Sequence, residues 1–149
     1  MLSNTSQSSL YVTERNMGET PGHRMFASSH DGGLTLGGFG IDNTLVTPIT
    51  KDWTGIVASV HAVVEDTFRV KTDPNPRLML TLPANATVRA NLSIYTSVDS
   101  GSSWQFSSTF NSGLGGYTDL VATSHGMGVI FENGVQSFSD KISFVHLRV

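Results

Sequence analysis

Ser97-Val98-Asp99-Ser100-Gly101-Ser102-Ser103-Trp104 lies between two runs rich in β-branched and aromatic residues, 91–97 and 105–110. Read as a strand–turn–strand unit, each residue type has a task. The Asp carboxylate accepts backbone N–H groups of the turn, the glycine takes the backbone conformation closed to other residues, and the bulky last residue packs beneath. An earlier stretch, Ser29-His30-Asp31-Gly32-Gly33-Leu34-Thr35-Leu36, repeats the pattern with Leu36 in the tryptophan's place. Such a unit is structural punctuation and not a catalytic site.

Working outward, short apolar runs separated by Gly, Asn, Asp and Pro clusters predict strands over 10–13, 24–28, 55–64, 67–70, 77–82, 91–97, 105–110, 119–123, 128–131 and 142–147. No stretch carries a helical stripe. Gly32-Gly33, Gly37-Gly38, Gly115-Gly116 and Asn133-Gly134 are read as turn positions, the last as a hairpin signal. The expected class is all-β, and the repeated turn indicates a β-propeller of four-stranded blades. At roughly 40 to 50 residues per blade the chain supplies about three. Propellers close with about four to eight blades, so this arc is expected to be part of a larger domain. Residues 1–9 are Ser-, Asn-, Thr- and Gln-rich and are expected to fray, which leaves 10–149 as the propeller portion.

The bulk composition excludes several classes. Nine Lys+Arg and a net charge of -3 provide no basic stripe for nucleic acid. With no cysteine there is no disulfide or thiolate chemistry. His23, His30, His61, His125 and His146 show no paired metal-ligand spacing, and no cofactor or metal is implied. Gly37-Gly38-Phe39-Gly40 has blade-turn composition and is not a phosphate loop. The longest apolar run, 55–64, is broken by Ser59 and His61 and is too short for a transmembrane segment. The triplets at Asn85 and Asn91 fit the glycosylation pattern but are common by chance, and nothing assigns a compartment.

Four pieces in order carry a resemblance: Arg89-Ala90-Asn91-Leu92-Ser93-Ile94, the Ser97 unit, Gly116-Tyr117-Thr118-Asp119-Leu120, and Gly128-Val129-Ile130-Phe131-Glu132. Together they resemble the C-terminal half of the exo-α-sialidase (neuraminidase) family, whose six-bladed propeller carries Asp-box, or BNR, repeats. The stretch from Asp140 to Leu147 resembles the family's last strand. The resemblance implies a glycoside hydrolase that releases terminal sialic acid from glycoconjugates with retention. It implies Tyr117 as nucleophile, Arg89 and Arg15 as ligands of the substrate carboxylate, and Glu132 as the brace of a further arginine. It also makes Ser29, Asp31, Gly33, Ser97, Asp99, Gly101 and Trp104 the Asp-box residues.

These residue types suit that substrate. Sialic acid bears a carboxylate on its anomeric carbon, which a guanidinium fork grips bidentately at any working pH. A carboxylate nucleophile would be repelled there, whereas a phenol is neutral until a base takes its proton, and sialidases use tyrosine. Asp119 is read as a structural hydrogen-bonding residue, Glu14 as pointing away from Arg15, and Arg24 as an ordinary strand residue outside the site.

Three family elements have no match: a first arginine, an aspartate acid/base, and a glutamate that deprotonates the tyrosine. The isolated chain is therefore expected to show little or no turnover. The implied partners are a sialylated glycoconjugate, the missing N-terminal half and, through open edges, a second copy of the chain. The alternative is a non-catalytic Asp-box propeller segment that binds glycans or proteins.

Overall fold

The computed structural model describes residues 3–5, 9–14, 23–46, 63–65, 77–123 and 126–147. Among them there is no helix. Strands β1 (Ser3–Thr5), β2 (Ser9–Glu14), β3 (His23–Ser29) and β4 (Gly37–Val46) form one antiparallel sheet in that order. The second sheet has the order β10-β9-β8-β7-β6-β5, built from β5 (Val63–Glu65), β6 (Leu78–Pro83), β7 (Ala90–Ser97), β8 (Gln105–Thr123), β9 (Gly126–Gly134) and β10 (Lys141–Leu147). Every neighbour within a sheet is also a neighbour in sequence, so both sheets are meanders.

Three features depart from the sequence reading. Ser3–Thr5, in the stretch expected to fray, pairs with Ser9–Tyr11. Gly37–Val46 is a strand although its glycines read as turn composition: Gly40 lies opposite Phe26, whose ring would stand 2.8 Å from a Cβ there. The runs 105–110 and 119–123 are one 19-residue strand, so Gly115-Gly116 makes no turn. The expected strand over 67–70 lies outside the described residues, as does 55–62.

The long strand β8 serves two ladders. Its first part pairs with β7 from Gln105 to Leu114, and its second pairs with β9 from Leu114 to Thr123. The six-stranded sheet is thereby a four-stranded unit, β5 to β8, continued into a three-stranded unit, β8 to β10. With the β1–β4 sheet this makes three successive blade-like units.

Strand β6 is buried along its whole length, because both faces are covered. Leu78, Leu80 and Leu82 point to one side and meet Tyr11 and Trp104, which ties the first sheet to the second. Met79 packs on the other side with Leu92, Ile94, Leu120, Met127, Val129 and Phe131. On that side Thr81 Oγ1 also meets Thr118 Oγ1 at 2.6 Å, so two buried hydroxyls satisfy one another next to Tyr117.

The two repeated turns carry the same hydrogen bonds. Gly33 N–H donates to Ser29 Oγ at 2.8 Å, and Gly101 N–H donates to Ser97 Oγ at 2.9 Å. Thr35 N–H and Oγ1–H donate to the Asp31 carboxylate, as Ser103 N–H and Oγ–H do to Asp99. Gly33 and Gly101 adopt φ of 94° and 88°, in the region glycine alone enters without strain. The units differ at their last residue. Trp104 is 6% exposed against Tyr11, whereas Leu36 is 47% exposed.

These carboxylates give the fold a pH dependence of known sign. Hydrogen bonds from Thr35 and Ser29 hold Asp31 down to about 2 from 3.8. Burial opposes ionisation of Asp99, but hydrogen bonds from Ser103 and Ser97 outweigh it and lower its pKa. The amides of Ser137, Gln136 and Val135 lower that of Asp140. A folded pKa below the unfolded one contributes stability above the unfolded value, and that contribution is lost as pH falls through the folded value. The melting temperature should therefore be flat above about pH 5 and fall from about pH 4 towards 2. The combined Asp31→Asn and Asp99→Asn variant should lose part of that slope in a series of thermal melts.

Candidate functional site

Arg89 immediately precedes β7, and its carbonyl accepts Gly115 N–H at 2.9 Å, which fixes the strand start against the middle of β8. Beyond that point the β8–β9 ladder is bulged. Gly115 pairs with Asn133 and Thr118 with Phe131, so Gly116 and Tyr117 together face Glu132. A bulge leaves an amide without its ladder partner and re-aims the side chain beside it. Here the Glu132 carboxylate takes the Tyr117 N–H at 2.9 Å. The side chain of Tyr117 is 46% exposed.

The guanidinium of Arg89 lies 5.1 Å from the centre of the Tyr117 ring and 4.6 Å from that of Phe138, within cation–π range of both. Gly116 explains the close packing. A Cβ there would collide with Glu132 Oε2 and stand 2.7 Å from the Phe138 ring. A Cβ at Gly115 would stand 2.6 Å from Leu92. Thus Arg89, Tyr117 and Glu132, separate in sequence, converge at one end of the sheet. The Ser97 turn closes the other end of the eight-residue β7, about 25 Å away at the usual rise per residue.

Phe138 was not picked out by the sequence. It stands on the loop joining β9 to β10, where Asp140 Oδ2 accepts the N–H groups of Val135, Gln136 and Ser137, each at 3.0 Å. Asn133-Gly134 does lead into a hairpin, but the connection is this six-residue loop and not a two-residue turn. Gly134 is needed because a Cβ would run into Ser137 O and Asp140 Oδ2.

Of the other candidates, Arg15 lies outside the described residues. Asp119 is exposed and accepts Leu120 N–H at 2.9 Å. Glu14 is exposed at the end of β2. Arg24, read as an ordinary strand residue, is only 4% exposed, and its Nε donates to Thr13 Oγ1 at 2.8 Å. Its Nη1 has no hydrogen-bond partner among the described residues, and Asp42 stands opposite it across the β3–β4 ladder. Burial lowers its pKa to about 10, opposed by the nearby charges of Asp42 and Glu14, so it stays a cation at neutral pH. Arg24 lies near the start of a strand that runs into the Ser29 turn, as Arg89 precedes the strand that runs into the Ser97 turn. No helix among the described residues is long and apolar enough to cross a membrane.

No protein-family model matches the chain, and no curated protein sequence matches it. Solved structures do. The chain is similar to the NanB sialidase of Streptococcus pneumoniae at 15% identity and TM-score 0.69, covering 100% of this chain and 23% of that one. It is similar to a Hadza microbial sialidase at 20% identity and TM-score 0.73, covering 99% and 27%. It is also similar to an α-L-arabinofuranosidase of Fusarium graminearum at 18% identity and TM-score 0.63, covering 97% and 43%. The chain thus spans about a quarter of the sialidases it matches. At these identities the likeness shows the fold: an all-β, sialidase-like arrangement consistent with part of a propeller.

Proposed function

We propose that the chain is the C-terminal part of an exo-α-sialidase propeller and carries that enzyme's nucleophile and part of its carboxylate clamp. The observation that supports this most is the convergence of Arg89, Tyr117 and Glu132 through the bulge in β8. A fixed cation beside an exposed phenol is the pairing a carboxylate-bearing anomeric centre requires. Tyr117 attacks the anomeric carbon, the aglycone leaves with a proton, and water then releases sialic acid with retention. The acid, the base and the first arginine come from the rest of the domain, and Glu132 braces that arginine while it holds the Tyr117 amide. The turns at Ser29 and Ser97 are Asp boxes that hold the blades.

For the second carboxylate ligand Arg15 and Arg24 both stand as candidates, and the buried guanidinium, whose Nη1 has no partner among the described residues, favours Arg24. Binding to the complete domain separates them. Arg89→Ala should weaken sialic acid binding by about 10- to 100-fold, the worth of a charge-assisted hydrogen bond. It should leave a neutral pyranoside of similar size unaffected. Whichever of Arg15→Ala and Arg24→Ala shows the same selectivity is the second ligand. Equal losses for the charged and neutral sugars would contradict the clamp.

The non-catalytic alternative draws on the exposed strip Val121, Ile130, Ile142 and Phe144 across β8, β9 and β10. In the sialidase reading that strip packs on a further blade from the missing half or from a second copy.

A further inference from the structure

We propose that the loop 135–140 sets the plane of the Arg89 guanidinium, with Phe138 as the residue that clamps it and Asp140 as the residue that holds Phe138 in place. This rests on the reading of Arg89 as a carboxylate ligand and goes beyond it by assigning positioning residues. An arginine side chain has several rotatable bonds, and ordering it costs conformational entropy when an anion arrives. Here the guanidinium carbon lies 5.1 Å from one ring centre and 4.6 Å from another. Stacking engages the faces of the guanidinium, while the carboxylate is gripped by its N–H edge, so the two tasks do not compete. The backbone of Tyr117 is held by the bulge and by Glu132, and Phe138 is the second wall, presented by the loop.

Phe138 is presented by a loop that has no ladder of its own. Three successive amides, those of Val135, Gln136 and Ser137, point at one oxygen of Asp140, and Gly134 leaves the space for that approach. Phe138 follows directly on the last of those three amides. An Asp140→Asn side chain keeps the shape but loses the charge that gathers the three donors, and so loosens the ring over Arg89.

The test uses the complete domain that contains this chain, with its Phe138→Leu, Phe138→Tyr and Asp140→Asn variants, titrated with N-acetylneuraminic acid by NMR. The first readout is the Arg89 side-chain resonances, which two flanking rings shift upfield; the second is the dissociation constant. In Phe138→Leu and Asp140→Asn the upfield shift should shrink and affinity should fall by about fivefold, the scale of a cation–π contact. Phe138→Tyr should keep both. Should Phe138→Leu not fold, Asp140→Asn, a surface change, carries the same comparison. Unchanged Arg89 resonances in Asp140→Asn and Phe138→Leu overturn the positioning roles. So does wild-type affinity in those variants, and it leaves the carboxylate reading standing. If the resonances move as expected but even the wild type binds no sialic acid, the positioning roles hold and the sialic acid reading falls.

Discussion

Gly101→Ala should destabilise the chain by about 3 kcal/mol or more, because two separate penalties fall on one methyl group. The residue sits at φ 88°, where an L side chain is strained by about 1–2 kcal/mol. A Cβ there would also stand 2.7, 2.9 and 3.0 Å from atoms of the Tyr11 ring. That ring cannot step aside. It stacks on Phe26 at 6.3 Å and lies against Trp104 at 6.2 Å, and its hydroxyl donates to Asp42 at 3.2 Å. Burial and then the Asp42 charge push the Tyr11 phenol up to about 12, so it remains a donor at any ordinary pH. The control is Gly32→Ala, at φ 75° with open space around it, which should cost only about 1 kcal/mol. Urea unfolding of both variants reads the difference. Equal losses would mean that the contact between the Ser97 turn and Tyr11 does not hold the two sheets together.

Tyr117→Phe in the complete domain should lower kcat by about 10³-fold or more while leaving stability and sialic acid affinity nearly unchanged. The change removes one oxygen. The ring that faces Arg89 persists, and the amide that Glu132 holds belongs to the backbone, so the site keeps its shape. Thermal melts and sialic acid binding should therefore overlay those of the wild type. A loss of less than about tenfold would mean that the phenol is not the attacking group.

What the sequence shows of this molecule follows how local each determinant is. The two turns are legible because serine, aspartate and glycine bond within five residues of one another. Burial of Trp104 and exposure of Leu36 depend on whether another sheet supplies a Tyr11, which no local pattern records. β4 and the middle of β8 are hidden for one reason: their glycines look like turn formers. Gly40 and Gly115 are strand residues made small by the side chains they meet, Phe26 and Leu92, while Gly38 takes φ 62° within the strand.

At the site, residue types and order single out Arg89, Tyr117 and Glu132, but the register shift that brings Tyr117 to Glu132 is a property of the ladder. Phe138 carries no signal, being one aromatic in a serine-rich loop. The burial of Arg24 is not legible either, because spacing alone does not separate a buried guanidinium from a solvated one.

The measurement that bears most directly on catalysis is mass spectrometry of the complete domain, acid-quenched within milliseconds of mixing with an aryl sialoside and then digested. The peptide bearing Tyr117 should gain the mass of one sialyl group, bonded through the phenolic oxygen, and that gain should vanish in Tyr117→Phe. Sialic acid released at full rate with the adduct on another residue, or persisting in Tyr117→Phe, would remove Tyr117 from the chemistry.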